Sequence, residues 1–182
     1  MSLKFTFNED KALSALCFVA SVEPNLSPLF VSKVFFFAEK EHINRYGRPI
    51  IGDTFIAMPR GPVPSTIKNY IDENWMWVGK PEKFDEAISL TWVSGLKTLD
   101  VGRNPITQDF LSETDKECLS EAIAFCKHKS ARELSEITHF EKSWLNAPEN
   151  RPMDYEDFVD EENPHRPQIL EAMKESAAYG VF

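Results

Sequence analysis

Between Asn44 and Ile67 the chain reads NRYGRPIIGDTFIAMPRGPVPSTI, with three glycines, four prolines and three arginines. No regular element passes through such a stretch unbroken. Gly47 can take the positive φ that ends a helix, while Pro49 and Pro59 fix φ where they stand. Each residue before a proline is pushed out of the α region, so Gly61 and Val63 are expected to be extended. Pro64 can then open the first turn of a following helix. The stretch reads as a stiff elbow that holds one shape at little entropic cost.

Helical signals lie on both sides. Asn8 precedes an apolar run with acids in its first turn, and Ser27-Pro28 is a cap followed by a proline at the first helical position. The run VFFFA inside the second helix is apolar on every side, which places it near the centre of the fold. After the elbow, STIKNYIDEN predicts a short helix, and EAISLTWV with LKTLDV across Ser94-Gly95 predicts a β-hairpin at about residues 86–101. Ser112 with Asp115, and Ser130 with Glu133, are capping boxes for two more helices. The acidic MDYEDFVDEENPH is a brief helix or solvated arm, and Arg166 to Tyr179 forms a last helix stopped by Gly180. The expected fold is mainly α, a compact helical domain over 1–150 with one small β-hairpin insertion. The acidic segment and C-terminal helix, 151–182, should pack on it.

The chain has 182 residues, is 42% hydrophobic and carries 14 phenylalanines, enough for one aromatic-rich core. A net charge of −9 argues against direct nucleic-acid binding and suits attraction to a basic partner. From Lys33 to Lys68, Lys33, Lys40, Arg45, Arg48, Arg60 and Lys68 oppose Glu39, Glu41 and Asp53, a local net of +3 that makes the elbow a candidate binding surface. No run is long enough to span a bilayer and the N-terminus lacks a signal-peptide layout, so the expectation is a cytoplasmic protein.

Chemistry has few footholds. Cys17, Cys118 and Cys126 sit on apolar stripes, which quiets a thiol. Glu39/His42 and Glu136/His139 are Glu-x-x-His pairs of the type that holds two metals in helical bundles, though His139 falls at a helix end. His42 is expected at a helix surface or boundary near the elbow. No cofactor is expected.

The succession from FFFAEKEHINRYGRPIIGDTFIAMPRGPVPSTI through LSETDKECLSEAIAFC to SARELSEITHFEKSW resembles the Panacea domain, a family that includes SocA-type antitoxins and phage-associated GepA-like proteins. The resemblance covers roughly residues 10 to 145. It rests on Tyr46 to Pro49, Gly61 to Pro64, Leu111-Ser112, Thr138-His139 and Trp144, in that order. It implies a non-enzymatic antitoxin that neutralises a cognate protein toxin, here expected to be basic, by direct contact. Alternatives are a small di-metal enzyme, or a phage-encoded adaptor that delivers a host protein to a protease or masks it. Tyr46, Arg48, Arg60, Gly61, Pro62, Val63 and Pro64 are the candidate partner-binding residues. Thr138, His139 and Trp144 are the candidate structural closure. Arg48→Glu and Arg60→Glu are both expected to abolish neutralisation without unfolding the chain.

Overall fold

The computed structural model describes residues 3–180. Helices α1 (Glu9–Val22) and α2 (Pro28–Tyr46) lead into a hairpin of β1 (Phe55–Met58) and β2 (Gly61–Pro64). Short helices α3 (Ser65–Ile71), α4 (Trp75–Val78) and α5 (Phe84–Ala87) follow, then a second hairpin of β3 (Ile88–Val93) and β4 (Leu96–Val101). Helices α6 (Glu113–Cys126), α7 (Ala131–Thr138), α8 (Lys142–Leu145) and α9 (Arg166–Tyr179) complete a mainly α fold.

Local chemistry sets the helix ends. The Asn8 and Ser27 side chains accept from the Lys11 and Phe30 amides, and Gly47 ends α2 at φ +69. Both capping boxes form, Ser112 with Asp115 and Ser130 with Glu133. Helix α2 is the central rod: Val31, Val34, Phe35, Phe36 and Ala38 are fully buried. Helix α6 packs along it. Met153, Tyr155, Phe158 and Val159 join the same core, with the Phe158 ring 5.5 Å from Phe36 and 5.4 Å from Phe55. Ile169 and Met173 fasten α9 to it.

The elbow holds a second hairpin that the one-hairpin expectation did not include. Phe55 to Met58 pair with Pro64 to Gly61 around a Pro59-Arg60 turn. Two prolines in one strand are tolerated because of phase. The Ser65 amide donates to the Thr54 carbonyl at 2.9 Å, in step with hydrogen-bonded pairs Ile56–Val63 and Met58–Gly61. Pro62 and Pro64 fall at the alternate positions, whose N–H would face away from β1, so their missing donors cost no ladder bond. On the far side of β1, Ala57 donates to Arg151 and Phe55 accepts from Met153, so the chain near Pro152 covers that edge.

Candidate protein-binding site

Three successive carbonyls at the β1–β2 turn are each fixed by a side chain from a helix. Trp144 Nε1 donates to Met58 O at 3.0 Å, and His139 Nε2 bonds Pro59 O at 3.1 Å, which makes that nitrogen the protonated one. Lys33 Nζ donates to Arg60 O at 2.6 Å and to Thr138 Oγ1 at 2.9 Å. Thr138 in turn donates to the carbonyls of Leu134 and Ser135. The His139 and Trp144 rings stack with centroids 4.2 Å apart. Gly61 is buried against this clamp at φ +98, and a Cβ there would overlap Lys33 Nζ and Thr138 Oγ1.

What remains outside the clamp is small. Pro59 and Arg60 are exposed at the tip, while Gly61, Pro62 and Pro64 are buried and Val63 is half-buried. Beside them lies an open groove of about 340 Å³, lined chiefly by Leu29, Met58, Pro59, Pro62 and Val63. Lys68 stands at its edge, already paired with Asp72.

The positive elbow is not a positive surface. Lys33 is buried, Lys40 pairs with Glu141 and Asp160, Arg45 with Glu41 and Glu121, and Arg48 with Asp115. Of the six cations counted there, Arg60 alone is exposed with no ion pair among the described residues. Tyr46 and Arg48 lie elsewhere, against the start of α6. The Tyr46 hydroxyl reaches Glu117 at 3.3 Å, and Arg48 bonds Asp115 and Ser112 at 3.1 Å. Arg48→Glu would set a carboxylate beside the buried Asp115. Contrary to the expectation of an intact fold, it should lower stability by about 2–4 kcal/mol, read from urea unfolding.

His42 is fully buried rather than at a surface or boundary. Its Nδ1 lies 2.9 Å from Arg48 O, and its Nε2 lies 3.0 Å from Thr114 Oγ1 and 3.1 Å from Asp115 Oδ1. Its partner in the Glu-x-x-His pair, Glu39, accepts the Ile50 and Ile51 amides at 2.6 and 2.9 Å. In the other pair, Glu136 is exposed and paired with Arg132, and His139 serves the hairpin turn. Among the described residues no group of three or more His, Cys, Asp and Glu is arranged to hold a metal ion. Burial pushes the Cys118 and Cys126 thiols up to about 12.

Burial also moves two groups toward neutrality. It raises the Glu39 carboxyl to about 7 against the pull of the two amides, and lowers the Lys33 amine to about 7. The folded chain therefore holds the Glu39 proton more tightly than the unfolded chain, and that stabilisation fades as pH rises toward 7. The unfolded chain holds the Lys33 proton more tightly, so stability recovers as pH rises above 7. Lys33→Met should remove the alkaline recovery, about 1–2 kcal/mol between pH 7 and 9, in urea titrations at the two pH values.

The clamp spans the chain from α2 to α8, and a sequence profile of the antitoxin SocA-like, Panacea domain family matches residues 31–145, the same span. The chain belongs to this family. No curated protein and no solved structure matches it. The Panacea match takes in the Gly-Pro-Val-Pro strand, Lys33 and the Thr138-His139 and Trp144 anchors. Lys11, Lys33 and Asp53 were not candidate site residues from sequence, and Glu39 was one only as half of a Glu-x-x-His pair. A lysine inside an otherwise apolar helix face was the available signal for the first two. Asp53 accepts the Thr66 and Ile67 amides, capping α3 from a distance where Pro64 has no side-chain acceptor. Among the described residues no helix is long and apolar enough to cross a membrane.

Proposed function

We propose that this Panacea-domain chain is an antitoxin that neutralises a cognate protein toxin by direct contact, and that the Pro59-Arg60 tip with its adjoining groove is the contact surface. Family membership supports an antitoxin-type, non-enzymatic role and a protein partner. The observation that carries the placement is Arg60, an exposed guanidinium without an ion pair among the described residues, on a turn whose carbonyls are all tied down. A rigid turn loses little conformational entropy on docking, so its contacts convert more fully into affinity. Arginine beside an apolar groove also has the composition of a binding hot spot. The chain's −9 charge draws a basic toxin over long range, while Arg60 faces a carboxylate of that toxin locally.

Co-expression with the small gene next to its own is the direct test. That neighbour should be lethal alone and harmless with this chain. Arg60→Glu should abolish rescue and weaken binding about 100-fold, with an unchanged circular dichroism spectrum and midpoint. Full rescue by Arg60→Glu would move the contact surface elsewhere.

A further inference from the structure

The two hairpins treat their free edges in opposite ways. On β2 the outward positions are Pro62 and Pro64, which offer no donor. In the second hairpin only one edge is covered. Leu26 N donates to Leu99 O at 3.0 Å and Leu99 N to Leu26 O at 2.9 Å, so β4 is shielded. Those bonds also fix the phase of the ladder. Val93 and Leu96 close the turn, Leu99 lies opposite Leu90, and both point their backbone groups away from each other. Leu90 and Trp92 therefore present N–H and C=O to the open side of β3, where they make no hydrogen bond among the described residues.

Such edges are ordinarily blunted by lysine, proline, a bulge or a cover. Ile88 to Leu96 contains no charged residue and no proline, and pairs without a bulge. Its tip projects from the core, with Trp92 69% and Leu96 70% exposed. The nearest cation, Lys97, is already spent on Glu73 at 3.0 Å and lies over the Trp92 ring.

We propose that the β3 edge is a self-association surface, on which a second copy of this chain adds its own β3 antiparallel across a two-fold axis at Thr91. The occupant follows from two observations. First, the open positions, Leu90 and Trp92, are placed symmetrically about Thr91. In this register Leu90 of each copy pairs with Trp92 of the other, an aromatic–aliphatic contact, and Thr91 meets Thr91 on the opposite face. Second, a chain of net charge −9 resists meeting itself through most faces, and this segment brings no charge to the contact.

The test uses the full chain in sedimentation equilibrium. At roughly 100 µM the wild type should be largely dimeric. Thr91→Lys and Thr91→Glu place like charges across the axis and should each weaken dimerisation about tenfold, while Thr91 is exposed and the fold is kept. An equimolar mixture of the two variants should recover the dimer to within about threefold of wild type, since opposite charges then meet. Trp77→Ala, an equally exposed tryptophan outside the edge, should leave the dimer unchanged. A monomeric wild type, undiminished dimerisation by Thr91→Lys, or a mixture that stays monomeric would each overturn the proposal.

Discussion

Gly61→Ala is expected to lower stability by about 3–5 kcal/mol. Two penalties combine at that position. The backbone stands at φ +98, where a side chain is strained, and the added carbon would overlap the Lys33 amine and the Thr138 hydroxyl and lie 3.2 Å from Thr138 Cβ. Relief requires Lys33 to leave Arg60 O and Thr138, which strands a buried amine, or the turn to lift off α7. Gly95→Ala separates the two penalties. Gly95 has φ +79 but nothing within 4 Å of its Cβ position, so only backbone strain of about 1 kcal/mol should appear. Urea unfolding of both variants measures the difference, and equal losses would mean that the clamp contributes nothing. Gly61 is buried behind the turn, so on the proposed contact surface Gly61→Ala protein that remains folded should lose toxin binding in proportion to its loosened tip.

The sequence made the helices legible because their ends are written locally. Asn8, Ser27, Ser112 and Ser130 each act on an amide three residues away, so nothing distant is needed to place them. The β3–β4 hairpin was legible for the same reason, through its alternation and its Ser-Gly turn. The β1–β2 hairpin was not, because two prolines argue against a strand unless the phase of the ladder is known. That phase is set by Thr54 and Ser65 and by the distant segment near Pro152. Charge was misleading for a similar reason. A local count cannot see that Arg48 belongs to Asp115, or Lys40 to Asp160, more than sixty residues away. The residues of the signature were found, but their division was not. Gly61 and Pro62 face inward, Arg60 faces outward, and Tyr46 with Arg48 belongs to another part of the molecule.

Asp115→Ala is the second large effect, expected at about 3–5 kcal/mol. The sequence marks Asp115 only as the N3 partner of Ser112 in a capping box, yet its carboxylate is buried among three cationic or ionisable side chains. Lys11 Nζ lies 2.9 Å away, and His42 Nε2 and Arg48 Nη1 lie 3.1 Å away. Removing it leaves the buried Lys11 ammonium without its carboxylate and takes one bond from the α6 cap. Asp115→Asn keeps the cap acceptor and the shape but not the charge, so it should recover only about 1 kcal/mol of that loss. Lys11→Met combined with Asp115→Asn should cost less than the sum of the two, because the second change no longer strands a partner. The pH dependence gives an independent check. Burial would push the Asp115 carboxyl up, but hydrogen bonds from His42 and Lys11 prevail and hold it well below the usual range. Its folded value is thus below its unfolded value of about 3.9, so its stabilisation is full above that pH and is lost as pH falls below it. Acid unfolding of Asp115→Asn should therefore show a shallower slope below pH ~4 than wild type; identical slopes would place the charge-dependent stability in other carboxylates.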